Sequence, residues 1–159
     1  MGDKIKSGQY LTFQIGDEFF GLEVFCVKEI LEIPAITVVP GMSKVVRGIV
    51  NIRGLVVPVI DVKQKFIGEK TEIGKNSVII VIELHNSEGT SLMGIMADSA
   101  RSVINLTTDD IEEPPSYGSS INKNYLKGVG KVDDGFILLI NSQMLFSEEE
   151  LNSVTDGVF

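Results

Sequence analysis

The apolar positions of this 159-residue chain come in short runs rich in Val and Ile, broken every few residues by Gly, Asn or Asp. Runs of that length and make-up predict many short strands and few long helices. Residues 10–15 read as a strand, Gly16-Asp17-Glu18 as a turn and residues 19–23 as the return strand. Val24, Val27, Ile30 and Leu31 then recur at distances of three, six and seven residues. That spacing predicts one apolar face of a short helix, ended by Pro34. Residues 45–50 and 55–60 predict a second strand pair around Asn51-Ile52-Arg53-Gly54, and Asp61 is placed to cap a short helix ending near Phe66. Residues 68–76, with two glycines and mixed charges, read as a linker.

After residue 76 the pattern repeats. Residues 77–84 read as a strand and Asn86-Ser87-Glu88-Gly89 as a turn. Gly89-x4-Gly94 matches Gly16-x4-Gly21 at an offset of 73, where Leu22 also meets Ile95, Val27 meets Ala100 and Ile30 meets Val103. At an offset of 80, Arg47-Gly48-Ile49 meets Lys127-Gly128-Val129, Val59-Ile60-Asp61 meets Leu139-Ile140-Asn141, and Phe66 meets Phe146. Ordered self-similarity of this kind predicts two copies of one small β unit. Each copy has too little sheet to leave its edges exposed, and closure into an SH3-like or OB-like barrel would remove them. Ser147-x-x-Glu150 is a capping box that, with Leu151 and Val154, predicts a terminal helix.

Charge narrows the range of functions. The net charge is −8, and residues 105–159 carry 10 acidic against 3 basic side chains, a net of −7. An acidic chain repels phosphate backbones, so nucleic-acid binding is not expected. The single Cys26 excludes an internal disulfide, and the single His85 excludes a metal site built from several His and Cys ligands. With no apolar amino-terminal segment and no apolar run of membrane-spanning length, the chain is expected to be soluble, cytoplasmic and without membrane insertion.

Catalytic constellations are missing from the pattern. There is no Gly-rich phosphate loop, His85 has no local motif, and Cys26 falls beside the Val24/Val27/Ile30 stripe as a buried, inert thiol. Asp109, Asp110, Glu112 and Glu113 lack calcium-loop spacing and read as a solvated acidic loop before Pro114-Pro115. Arg53 is more informative, because it sits in a turn between two strongly apolar strands, with Asn51 and Gly54 as suppliers of unusual backbone angles. It is either a surface arginine that keeps the turn soluble or a rigidly held guanidinium able to grip a carboxylate. Glu29, a charge among apolar neighbours, is either the wet side of an amphipathic turn or the ion-pair partner that orients Arg53.

Val27-Lys28-Glu29-Ile30, Ile36-Thr37-Val38-Val39-Pro40 and the string Arg47-Gly48-x-x-Asn51-x-Arg53-Gly54-x-x-x-Pro58-x-x-Asp61 resemble the CheW family of bacterial chemotaxis coupling proteins. The resemblance continues through Met93-Gly94-Ile95-Met96-Ala97-Asp98, Ile111 with Pro114, and Leu126-Lys127-Gly128, roughly residues 8 to 150. It implies a mostly β fold within one domain, 8–155, made of two SH3-like five-stranded β-barrel subdomains around a shared apolar core. These would cover about 8–72 and 73–146, with short helices, terminal strands that can exchange between them, and a C-terminal helix over 147–155. It implies a non-catalytic adaptor without cofactors. Its partners would be the cytoplasmic tip of methyl-accepting chemoreceptors and the CheW-like regulatory domain of the histidine kinase CheA. The protein-binding residues carried over are Val27, Glu29, Ile30, Gly48 and Arg53 on the first subdomain, and Gly94 and Val103 on the second. Two departures are Met96-Ala97, where many members have Val-Val, and Asn141, where an Asp is common. The length leaves no room for a kinase core or a receiver domain, so a stand-alone coupling protein is expected. The alternatives are an adaptor of the same fold in another receptor–kinase pathway, such as surface motility, and a small ligand-binding or enzymatic β-barrel. The last would need a deep polar pocket with perturbed titratable groups.

Overall fold

A computed structural model describes residues 7–86, 89–114, 123–133 and 135–145. The strands are β1 (Gly8–Ile15), β2 (Glu18–Glu23), β3 (Val27–Glu32), β4 (Val46–Ile52), β5 (Leu55–Ile60), β6 (Val78–Asn86), β7 (Gly89–Ala97), β8 (Ser99–Leu106), β9 (Ile111–Glu112), β10 (Leu126–Val132) and β11 (Gly135–Ile140). Helix α1 (Val62–Ile67) follows β5, and 3-10 turns lie at Val24–Cys26, Thr108–Asp110, Lys123–Tyr125 and Ser142–Met144. The mostly β expectation is met.

The strands form two sheets, in the orders β8-β1-β2-β11-β10-β9 and β3-β6-β7-β5-β4. The repeat maps β2 on β7 and β3 on β8 at the offset of 73, and β4 on β10 and β5 on β11 at the offset of 80. With those equivalences, and β1 answering to β6, the two sheets share the same order over five strands, β9 being the additional one, and each draws strands from both halves of the chain. Most neighbours are antiparallel, but each sheet is joined in the middle by one parallel contact between halves. Leu139 lies beside Gly21 in one sheet and Val59 beside Gly94 in the other. Neither glycine has room for a side chain. A Cβ on Gly21 would lie 2.9 Å from Leu139 Cδ2, and one on Gly94 would lie 2.7 Å from Ile79 Cγ2.

Side-chain alternation distributes the apolar residues among three packing regions. Ile80, Ile82, Ile95, Ala97, Ile60, Phe13, Phe20 and Phe66 meet in a core shared by the two sheets. Val50, Ile52, Val57, Val59, Ile79, Val81 and Met96 fill the concave side of the β3–β4 sheet. Tyr10, Leu106, Ile137 and Leu139 fill the concave side of the other. A strand buried on both faces has no polar side, which explains the unbroken apolar run at residues 78–82. Met96 and Ala97 are fully buried in different regions, so the smaller Ala97 side chain is accommodated inside the shared core.

Several expectations need correction. The helix expected from Val24 to Leu31 is a 3-10 turn followed by strand β3, which pairs antiparallel with β6. Apolar spacing over so short a stretch fits either element, and pairing along the edge of β6 decides in favour of the strand. In the β4–β5 hairpin the unusual angles belong to Arg53 (φ 50°) and Gly54 (φ 87°), not to Asn51, which ends up within β4. Asn141 makes no side-chain cap, and only a three-residue 3-10 turn follows it. One sheet has six strands and not five, and neither strand order closes on itself, so backbone pairing leaves both sheets open. The expected C-terminal helix at 147–155, and Phe146, lie outside the described residues.

The tight fit of Gly94 in β7 against Ile79 of the neighbouring β6 yields a direct test. Gly94→Ala is expected to lower unfolding stability by about 1–3 kcal/mol, through overpacking against Ile79. Urea denaturation should show the loss as a lower midpoint with an unchanged slope.

Candidate functional site

The string from Arg47 to Asp61 folds into the β4–β5 hairpin, and its polar residues have distinct tasks. Asp61 is fully buried at the start of α1. Its Oδ1 accepts from the Gln64 N–H (3.2 Å) and the Thr71 hydroxyl (2.6 Å), and its Oδ2 from the Thr71 N–H (2.8 Å) and Arg47 Nη1 (3.0 Å). Arg47 Nη1 also donates to the Thr71 carbonyl at 2.7 Å. A buried carboxylate persists only with its lone pairs satisfied, and here one group both caps a helix and ties residues 68–76 to the hairpin base. The segment read as a linker is therefore anchored through Thr71. The second copy has Lys127 and Asn141 at the corresponding positions, and Lys127 pairs instead with Glu23.

At the other end of the hairpin, Ile52 pairs with Leu55 across the two-residue turn Arg53-Gly54. Positive φ at both turn residues is the hairpin geometry that matches strand twist. The Asn51 Oδ1 accepts from the Gly54 N–H at 2.8 Å and braces it. Arg53 is the one non-glycine residue with positive φ among the described residues. A side chain held in that conformation costs about 1–3 kcal/mol, so surrounding contacts must enforce it.

The Arg53 guanidinium meets Glu29 of β3 in a two-pronged pair, Nη1 with Oε1 at 3.0 Å and Nη2 with Oε2. Glu29 is half-buried while the Arg53 side chain is 72% exposed, so a cation is presented to solvent on a fixed mount. The hydrogen bonds from Arg53 lower the Glu29 carboxyl pKa below its ordinary 4.5. Hydrogen bonding to Glu29 in turn raises that of Arg53. Of the two readings open for each residue, the structure selects the ion pair.

That pair spans a seam. β3 and β4 are opposite edges of their sheet, so contact between Glu29 and Arg53 requires the sheet to curl until its edges come within side-chain reach. Eight residues beyond Glu29, Thr37 forms an isolated antiparallel bridge to Ile49 of β4. The Thr37 N–H donates to the Ile49 carbonyl at 2.8 Å, and the Ile49 N–H donates back at 2.9 Å. Beside the bridge, Gly48 has φ 146°, and a Cβ there would lie 2.3 Å from the Thr37 carbonyl oxygen and 2.7 Å from Ile36 Cγ2. The other sheet curls likewise, since a Cβ on Gly130 of β10 would lie 2.7 Å from Leu106 Cδ1 of β8.

The remaining carried-over residues divide by exposure. Val27 is half-buried against the shared core, and Ile30 and Val103 are exposed on the edge strands β3 and β8. Gly94 lies under the surface at the parallel contact. Exposed apolar residues that the sequence reading placed inside strands, or did not single out, are Leu55, Val56, Phe136, Phe25 and Val38. Val56 and Phe136 are equivalent at the offset of 80, as Ile30 and Val103 are at 73, so both sheets leave apolar side chains uncovered at matching places. Cys26 is half-buried, with Ser142 Oγ 3.8 Å from its sulfur. Among the described residues no group of three or more His, Cys, Asp and Glu could hold a metal ion, and no helix is long and apolar enough to cross a membrane.

The family model for the CheW-like domain matches residues 9–150. The chain is 29% identical over 150 residues to the Chemotaxis protein CheW of Klebsiella aerogenes, covering 94% of this chain and 87% of that protein. It is 28% identical over 149 residues to the Chemotaxis protein CheW of Treponema pallidum, covering 93% and 87%. Among solved structures it is similar to the scaffolding protein TtCheW from Thermoanaerobacter tengcongensis, with a TM-score of 0.80, 29% identity and 94% of each chain covered.

Two measurements probe the site itself. Asp61→Ala strands the Arg47 cation and is expected to cost about 3–5 kcal/mol in urea unfolding. The Glu29 carboxylate, followed by carbon-detected NMR, should titrate below 4.5, and Arg53→Ala should bring its midpoint up toward that value. The sign follows from the depressed pKa. The pair is intact above the unfolded glutamate pKa and is lost as pH falls through the folded one.

Proposed function

This chain belongs to the CheW-like domain family, and we propose that it is the non-catalytic scaffold coupling methyl-accepting chemoreceptors to the histidine kinase CheA in bacterial chemotaxis. The observation that carries the docking reading is Arg53, fixed in a strained turn, held by Glu29 and flanked in sequence by the exposed Leu55 and Val56. An interface is built from apolar anchors with a polar rim, and a rigid mount lowers the ordering cost of docking.

In this reading the cytoplasmic receptor tip docks on the face carrying Val27, Glu29, Ile30 and Arg53, with Gly48 beneath it. The kinase's regulatory domain uses the face that bears Val103 on the other sheet, whereas Gly94, in β7, is part of the sheet that carries the Arg53 face and serves its foundation. The matching exposure of Ile30 with Val103 and of Val56 with Phe136 supports two faces of similar shape. Their charges differ, because Asp133 stands where the first copy has Arg53, which suits two different partners. The two coiled sheets act as SH3-like barrels within one domain over 8–155, joined by strands exchanged between the halves. Ligand state at the receptor then reaches the kinase as a coupling free energy carried by a stiff body. The protein works in the cytoplasm, recruited to receptor arrays without entering the membrane, and uses no cofactor or nucleic acid.

The test is co-sedimentation with receptor fragments and CheA, with kinase autophosphorylation read in parallel. Arg53→Asp is expected to weaken receptor binding at least about tenfold, roughly 1.4 kcal/mol, with circular dichroism unchanged. Val103→Asp should weaken kinase binding while sparing the receptor. Full assembly and activation by the charge-reversed protein would sink the assignment of the first face.

A further inference from the structure

We propose that Gly48 is a positioning residue for the Arg53 face and touches no partner itself. This rests on the reading of that face as a docking site. The seam between β3 and β4 has two staples, the Glu29–Arg53 pair and the Thr37–Ile49 bridge, on segments that follow directly in the chain. Between them, Leu31, Ile33 and Ile36 pack into the same apolar region as Val50 and Ile52, so residues 31–37 lie across the seam as one strip.

Gly48 is where that strip comes closest to β4. The register of the β4–β5 hairpin slips between Val46 and Gly48, and the φ of 146° turns the backbone so that the Thr37 carbonyl sits where a Cβ would be. A distance of 2.3 Å to a backbone atom cannot be relieved by rotating a side chain. Any other residue at 48 must push Thr37 outward, which breaks the bridge and shifts the strip that continues into β3 and Glu29. Gly48 itself is buried, and Ile36 and Thr37 fill the space that a side chain there would take. A substitution there acts on the docking face through Arg53.

Thr37 offers an independent way to open the same staple, because it is exposed and its N–H is one of the two bridge donors. Thr37→Pro deletes that donor and leaves Gly48, Glu29 and Arg53 untouched. The experiment uses the full chain and compares Gly48→Ala, Thr37→Pro and Arg53→Ala, alone and combined. The ordering of Arg53 is read from its guanidinium Nε–H resonance by NMR, and docking from titration with a receptor cytoplasmic fragment.

Both seam variants are expected to keep a dispersed amide spectrum and to move the Arg53 resonance toward that of a free arginine. Each should weaken binding by about tenfold, and by less than about twofold once Arg53 is already Ala, because residues acting through one group are not additive. An unchanged Arg53 resonance alongside lost binding, or full additivity with Arg53→Ala, would make Gly48 a direct contact and overturn the inference. If Gly48→Ala fails to fold, Thr37→Pro decides alone. If the wild-type chain binds no receptor fragment, the coupling assignment fails, while the resonance still reports on the seam.

Discussion

Two parallel contacts, β5 with β7 and β11 with β2, join strands from different halves of the chain, and at each stands a glycine whose Cβ would collide with a neighbouring side chain, Ile79 of β6 for Gly94 and Leu139 of β11 for Gly21. Parallel neighbours cannot be linked by a tight turn, so each contact commits distant segments of the chain to one another. The consequence is reciprocal: neither sheet can form from one sequence half. The shared apolar core is then assembled from both sheets, with Ile80, Ile82 and Ile95 facing Phe13, Phe20 and Leu22. A body tied together in this way resists relative movement of its two sheets, and a scaffold that fixes partner geometry needs that property.

On this frame the proposed docking face is a matter of edges. A curled sheet brings its first and last strands close without hydrogen-bonding them along their length, so the remaining gap has to be held by local devices. In the β3–β4 sheet those devices are a two-pronged ion pair and a two-bond bridge. In the other sheet the chain leaving β8 runs through Thr108–Asp110 into β9, which pairs with β10. The charged staple belongs to the first copy alone, since Ser102 and Asp133 occupy the equivalent positions in the second. Ser102 is instead engaged with Thr12, whose hydroxyl fills the register slip between β1 and β8. Duplication supplied two similar surfaces, and divergence at a few polar positions separated them.

An exposed ion pair contributes little to stability, because water screens it and two long side chains lose freedom in forming it. Its effect here is on direction. Glu29 engages both Nη atoms of Arg53 and so sets the plane in which the guanidinium is offered, and the left-handed backbone at Arg53 fixes where the side chain starts. The opposite balance holds at Asp61, where burial makes each hydrogen bond obligatory and the group is structural. The spacing of one motif string thus serves two ends, a buried anchor at the hairpin base and a presented charge at its tip.

The residues themselves determined much of this. Hydrophobic periodicity located β1, β2, β4, β5 and β6, Asp61 declared a helix cap, and two offsets revealed a duplicated unit, because these are local properties that a few neighbouring side chains dictate. Arg53 and Glu29 stood out by chemistry, as charges among apolar residues. Tertiary structure decided which partner each edge would take. Val24 to Leu31 carried spacing compatible with a helix, and the open edge of β6 made most of it a strand. Residues 68–76 looked free until Thr71 proved to hold Asp61. Which half supplies which strand, why Gly48 must lack a side chain, and which apolar residues stay exposed all depend on segments far apart in the chain. Such contacts arise only when the sheets curl and the halves interlock, and no local window of sequence contains both members of the pair.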